Sequence, residues 1–365
     1  IYTSPHIKKI NERFVFNNKE INDDELSDLL EKIEKINNNQ PITFFEILTA
    51  AYFYKAAKYS DNINLIETGL FHRFDASNIL QKNLASVVTS IGLDHLDWLP
   101  KNEQTIEKII FEKTSTLLNS NIIVAKQSSF EISDQIEKTI FNNQSQKLFF
   151  DKDYTYSLNE NNFFYYEDKI GGLKLPNPNV NGQFQFENIS NNNSNKSFHN
   201  EDYSFAMKEN NFFYYEDQLG GIKLPMPNVK GQFQLENIST AIATLRTLKD
   251  LNIKDEHIQK GITKINSIAR LQEIKSGKLK ELAKDHQLFV DGSHNPLGAK
   301  VLNEYLESLN CNKHIILGMM ANKDHNEYMS YFKDVKTLTT IDIPNQPNSI
   351  KGKDLKDKLN SYTNI

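Results

Sequence analysis

Residues 65–99, LIETGLFHRFDASNILQKNLASVVTSIGLDHLDWL, carry the reading from which the rest of this chain follows. Two short apolar runs, 64–67 and 86–91, each end in a polar elbow. The first presents Glu67, then Arg73, Asp75 and Asn78; the second presents Asp94 and His95. Short apolar runs bounded by turn residues predict buried strands. In open α/β sheets the ligand lies beyond the carboxyl ends of strands, where the loops converge. A carboxylate on one tip and an imidazole on the next supply what a hard divalent cation near a phosphate needs. The plainer alternative has Glu67 capping a helix and His95 satisfied within its own loop, and spacing leaves both open.

Working outward, residues 1–13 read as a polar loop carrying Ser4, His6, Asn11, Glu12 and Arg13. Residues 22–36 repeat apolar positions with helical spacing, with Asp23 and Asp24 at the positive end of the helix. Thr43 and Glu46 form a capping-box pattern ahead of an apolar helix over 47–59. A helix over 104–118, carrying Glu112 and Lys113, precedes a strand at 121–126. Later, strands at 286–290, 314–317 and 337–343 alternate with helices at 255–265, 297–309 and 324–332; residues 269–272 open a strand-like piece. This rhythm predicts an α/β fold with a mainly parallel sheet. Two strand tips, DGSHNP (291–296) and GMMANKDH (318–325), form a second polar constellation. Two such clusters on two α/β units predict an active site in an interdomain cleft.

The middle of the chain repeats itself. Residues 153–190 and 202–239 align at a constant offset of 49 residues and are identical at 27 of 38 positions. Both copies contain NNFFYYED, GG, KLP and GQFQ followed by EN. One reading is a tandem of two β-rich units; the favoured one is a partial duplication joined by the polar linker 191–195. Two copies are too few for a solenoid. The second copy runs directly into a helix expected over 239–251.

The 365 residues predict two domains, and 38% hydrophobic with 24% charged residues is ordinary for a globular protein. A net charge of −5 leaves no nucleic-acid footprint. The sequence holds neither an apolar run long enough to span a membrane nor a signal peptide. The single cysteine, Cys311, excludes a disulfide framework, fits a reducing, cytoplasmic compartment and is expected to be a small buried apolar residue.

With both tip clusters in hand, the chain resembles the folylpolyglutamate synthase/dihydrofolate synthase family, within the Mur-ligase-like superfamily of ATP-dependent amide ligases. The motifs that carry the resemblance are TSPH…INERF (3–14), TFFEILTAA (43–51), ETGL…RFDASN (67–78), TSIGLDHLDWL (89–99), EK (112–113), GQFQLEN (231–237), ARLQ (269–272), DGSHNP (291–296) and LGMMANKD (317–324). They stand in the family's order and cover nearly the whole chain. The resemblance implies a Mur-ligase-like central ATP-binding α/β domain and a C-terminal Rossmann-like α/β domain. Residues 1–150 then form a partial ATPase-type domain, 151–239 the duplicated β-rich segment, and 240–365 the C-terminal ligase domain.

The resemblance also implies the chemistry. ATP phosphorylates the terminal carboxylate of a folate or dihydropteroate, and the amine of L-glutamate displaces phosphate to form an amide. Charge neutralisation on the transferring phosphoryl group dominates such a reaction. By similarity Ser4, Glu67 and His95 are the magnesium ligands. Lys113 stands where the family carries a modified lysine, and carbamylated it would offer a carboxylate to a second cation, which the resemblance implies to be monovalent. Taken alone, Lys113 reads as a solvated helix lysine. Asn237, Arg270, Asp291 and His294 are implicated with the nucleotide, and Asn11, Arg13 and Arg73 with the pterin and carboxylate of the substrate. The alternative for Asp291 and His294 is a turn held by its own side chains. A monomer is expected, with both synthase activities.

The chain departs from the family's pattern in several places. Phe71 and His72 replace two glycines of the first elbow, where glycine lets backbone approach a ligand closely. EKAGI reads EKTST, and HQ reads Phe233-Gln234. If the first repeat copy is the extra one, Gln183 and Asn188 have no role. No GxxGKGS-like P-loop occurs in these residues, so a fragment is expected that is inactive by itself and whose longer parent is the ligase. Two rivals are carried: a Mur-type ligase for another acid, and a degenerate non-catalytic homologue.

Overall fold

The computed structural model describes residues 1–154 and 228–359 in full, and between them the backbone of six strands. The chain divides into two compact units, residues 1–86, 98–120 and 129–146, and residues 87–97, 121–128 and 147–365. The expected linker 191–195, with Gln183 and Asn188, lies outside the described residues.

In the first unit a short 3-10 turn leads to the antiparallel pair β1 (Val15–Phe16) and β2 (Lys19–Glu20). Helix α1 (Asp23–Asn37) follows, capped by the Asn22 side chain on the Glu25 N–H and ending in left-handed Asn38. Helix α2 (Phe44–Ala56) starts at the predicted capping box: Thr43 accepts from the Glu46 N–H and Glu46 from the Thr43 N–H. The two helices pack on a core of Phe14, Leu26, Leu29, Ile33, Leu48 and Tyr52. Tyr2, expected in a polar loop, lies at its centre, stacked on Tyr52 at 5.0 Å with its hydroxyl on Thr49 Oγ1. Helices α3 (Ile106–Thr114) and α4 (Phe130–Thr139), capped by Thr105 and Ser129, pack on each other.

The expected strand at 64–67 is reduced to a bridge between Ile66 and Tyr2. Two backbone bonds, Tyr2 N–H to Leu65 O and Glu67 N–H to Tyr2 O, join the two segments. The strand predicted at 86–91 is β3 (Ala85–Val88), in a sheet ordered β3-β4-β5 with β4 (Asn121–Val124) and β5 (Lys147–Phe149). β4 and β5 run parallel, and Ile122, Ile123 and Val124 are fully buried.

Strands β6 (Tyr154–Leu158), β7 (Phe163–Asp168) and β8 (Gly171–Pro176) form one antiparallel sheet. Strands β9 (Met207–Lys208), β10 (Phe212–Asp217) and β11 (Gly220–Pro225) form another. Phe163 pairs with Pro176 and Asp168 with Gly171; Phe212 pairs with Pro225 and Asp217 with Gly220. Both sequence copies therefore adopt the same hairpin in the same register. These antiparallel sheets offset the expected parallel character, which holds for β4–β5 and for β14–β15 below.

Helix α5 (Gln232–Thr247) begins seven residues earlier than expected, so the second GQFQLEN is helical rather than β. It packs on β4, where the Tyr154 hydroxyl donates to Val124 O and faces Thr240. Then come α6 (Asp255–Ile262), the antiparallel pair β12 (Gln272–Glu273) and β13 (Phe289–Val290) with α7 (Lys278–Ala283) between them, and α8 (Pro296–Glu307). Strands β14 (Lys313–Leu317) and β15 (Val335–Thr340) pair in parallel around α9 (His325–Ser330), and α10 (Gly352–Leu359) closes the described chain. Their core joins Leu317, Met319, Tyr328, Met329 and Leu355. Cys311 is exposed, not buried, because it falls in the turn between α8 and β14.

Candidate functional site

Glu12 organises the N-terminal loop by accepting the backbone N–H groups of Ile7, Lys8 and Lys9 at 2.7–3.0 Å. Those bonds, Ile7's foremost, hold its carboxyl below the usual range. Ser4 is brought to Glu67, whose Oε2 accepts the Ser4 N–H at 2.8 Å. Both offer oxygen donors of the hard type that magnesium takes. Asn11 and Arg13 are buried and turned inward: Asn11 donates to Ile21 O and Asp23 Oδ1, and Arg13 Nε donates to His6 Nδ1.

The first elbow is tight, since a Cβ on Gly69 would stand 2.7 Å from Asp75 Oδ2. Arg73 grips Glu112 with two bonds of 2.7 Å, and its guanidinium stacks on Phe74. Phe71 and His72 have found partners in place of the glycines. The Phe71 ring lies 5.5 Å from the Lys113 ammonium, and His72 Nδ1 is 2.9 Å from Thr116 Oγ1. Burial lowers the His72 pKa. Lys113 is half-buried and donates to Leu70 O at 2.7 Å, so it is no solvated helix lysine.

The second unit gathers residues far apart in sequence. Arg270 sits between two left-handed residues, Ala269 (φ 52) and Leu271 (φ 50), a backbone that L side chains rarely adopt. The Asp291 carboxylate holds this turn, accepting the N–H of Leu271 at 2.7 Å with one oxygen and that of Ser293 at 2.8 Å with the other. Gly292 N–H adds a bond to Ala269 O. Arg270 lines an open depression of about 200 Å³ with Lys230, Ser267, Glu273 and Lys275. Asn237, one turn along α5 from Gln234, donates weakly to Gln234 Oε1 at 3.4 Å, and Gln234 reaches Ser267. His294 Nδ1 meets Gly292 O.

Asp94 joins the second elbow to these tips. Asn295 donates to its Oδ2 at 2.9 Å, Lys323 to its Oδ1 at 3.1 Å, and the His95 N–H to Oδ1 at 2.8 Å. Burial works to raise this carboxyl, but the bonds outweigh it and hold it at about 2. Asn295 and Lys323 were missed as site residues because nothing in sequence spacing ties them to an elbow some 200 residues earlier. Glu112 was seen only as a motif letter, without its partner. Ser4 and Glu67 stand together in the first unit, and His95 belongs to the second. Among the described residues, no three His, Cys, Asp or Glu side chains cluster to hold a metal ion.

No protein-family profile matches the chain. The chain is 27% identical over 343 residues to the dihydrofolate synthase/folylpolyglutamate synthase of Haemophilus influenzae, covering 89% of this chain and 63% of that protein. Its counterpart from Buchnera aphidicola of Acyrthosiphon pisum is 24% identical over 362 residues, covering 94% and 70%. The structure of E. coli FolC in complex with DHPP and ADP overlays with a TM-score of 0.73 at 22% identity, covering 98% of this chain and 71% of that one. A bifunctional folylpolyglutamate synthase/dihydrofolate synthase from Yersinia pestis, complexed with AMPPNP and Mn ion, gives the same score at 21% identity. The chain thus shares the α/β fold of these structures. By sequence, the chain is similar to these dihydrofolate synthase/folylpolyglutamate synthases. It spans 63% of the length of the Haemophilus relative.

Proposed function

We propose that this chain is the greater part of an ATP-dependent ligase that adds L-glutamate to a folate, and to dihydropteroate, through an acyl phosphate. The observation that supports it most is the second unit's gathering of His95, Arg270, Asp291 and His294 through Asp94 and Asp291. In this reading a carboxylate oxygen of the folate attacks the γ-phosphorus of ATP and ADP leaves. The glutamate amine then attacks the acyl carbon, phosphate departs, and the amine loses a proton.

Arg270, fixed by its strained turn, offers a preorganised cation to the phosphoryl oxygens. Asp291 keeps that turn in place, so its part is to position Arg270. His294 and Asn237 face the nucleotide, while Arg13 and Asn11 shape the folate side from within the N-terminal loop and Arg73 does so through Glu112. In this reading Ser4 and Glu67, brought together in the first unit, offer magnesium ligands, and His95 of the second unit offers one by itself. A bound magnesium ion would neutralise charge on the phosphates. Carbamylation of Lys113, in which the deprotonated amine adds to carbon dioxide and the released protons pass to solvent, would replace its ammonium with a carbamate anion for a second cation while leaving one N–H to donate; intact-mass analysis in bicarbonate buffer checks it. The domain division 1–150, 151–239 and 240–365, a monomeric state and a cytoplasmic place complete the proposal.

The test is glutamate-dependent ADP release, with dihydropteroate, tetrahydrofolate and a sugar-nucleotide acid as alternative acceptors. It is run on the 365-residue chain and on any longer natural protein containing it. Release with either pteridine but not the sugar nucleotide is expected from the longer protein. Release with the sugar nucleotide would mark another Mur-type ligase, and none with any acceptor would mark a non-catalytic homologue.

A further inference from the structure

Asp94 is engaged from three separate stretches of chain. Besides Asn295, Lys323 and the His95 N–H, the His294 Nε2 lies 3.8 Å from Asp94 Oδ2. Two further contacts run alongside: Asn322 donates to Asp97 Oδ2 at 3.0 Å, and a Cβ on Gly92 would stand 3.2 Å from Leu297 Cδ2. The elbow at 92–97 is thereby keyed to the start of α8 and to the loop at 320–323. His95 itself has a left-handed backbone, φ 57, and its N–H is the one that Asp94 accepts. A non-glycine residue in that region persists only where its surroundings over-determine it. Asn295 divides its side chain: Oδ1 accepts the Gly298 N–H and caps α8, while Nδ2 serves Asp94. An aspartate at 295 would keep the cap and lose the donor.

We propose that Asp94 is a positioning residue whose carboxylate latches the His95 elbow to the tip at 291–295 and to Lys323, fixing where the His95 imidazole stands relative to His294. This rests on the reading of His95 and His294 as parts of one ligase site. The charge matters as well as the shape, because one oxygen faces an amide donor and the other an ammonium.

The test compares four forms of the 365-residue chain: wild type, Asp94→Asn, Asn295→Asp and the double variant, in which amide and carboxylate change places. Hydrogen exchange of the amides at 91–97 is expected to speed up about tenfold in each single variant and to return to within about twofold of wild type in the double. Unchanged exchange in both single variants, or a double variant no better than Asp94→Asn, would overturn the latch. The second readout is Mn²⁺ affinity in the presence of ADP, followed by electron paramagnetic resonance. Weakening in Asp94→Asn with recovery in the double supports the positioning role. Equal affinity in all four, with exchange altered, would overturn that role. Absence of Mn²⁺–ADP binding from all four, with the exchange pattern as expected, would overturn the reading of His95 and His294 as a metal–nucleotide site within this chain and leave the latch standing.

Discussion

The Arg73 guanidinium meets Glu112 through both prongs of its fork, against a carboxylate whose side chain is only 5% exposed. A planar fork fits a carboxylate in a way an ammonium cannot. Arg73→Lys is therefore expected to lower the urea midpoint, the loss limited because Lys108 still faces Glu112 at 3.3 Å. Glu273 provides the pH signature. Its bond from Lys230 is the main cause of a pKa below the usual 4.5. The folded value lies below the unfolded one, so the pair's stabilisation is present above about pH 4.5 and lost as pH falls through the folded value. Glu273→Gln should remove about 0.5–1 kcal/mol at pH 7 and flatten the stability curve in that acid window, read by urea midpoints.

At the scale of elements, local chemistry governs the helices. Asn22, Thr43, Thr105, Ser129 and Asn295 each cap the helix that follows, as side chains one step before an apolar repeat should. Thr43→Ala is expected to cost about 1 kcal/mol, since the Glu46 N–H would lose the Thr43 Oγ1 that accepts it; thermal unfolding of the variant checks it. Strands were less legible. The run at 64–67 carries two adjacent apolar residues, Leu65 and Ile66, as β3 carries Val87 and Val88, yet it makes one bridge to Tyr2, because pairing depends on a neighbour that local sequence does not name. Helix α5 took over the tail of the repeat for a similar reason: Leu235, Ile238 and Ile242 recur on one face that is buried in the second unit.

At the scale of the whole molecule, the two hairpins share one register at the sequence offset of 49 residues. Leu158 pairs beside Phe164 as Met207 pairs beside Phe213. Deleting 159–207 would join Leu158 to Lys208 and hand β6 the partner it already has in register, while sparing Tyr154 and all of α5. The shortened chain is expected to melt cooperatively within about 5 °C of the full one, measured by circular dichroism. Loss of the cooperative transition would show that the first copy supports the rest of the fold.

By itself the sequence determined the α/β class, several helix caps, the repeat and the order of the motifs. Each depends on residues near one another in the chain: caps, periodicities and strand-tip letters. Only the tertiary structure decided what those letters do. Tyr2 became core, Arg73 was given to Glu112, Asp291 was given to the Arg270 turn, and Asp94 was joined to Asn295 and Lys323. A buried or half-buried charge takes whichever partner folding brings within about 3 Å, because leaving it unpaired costs more than any local preference. Which partner arrives is a property of chain topology, and no spacing rule carries it.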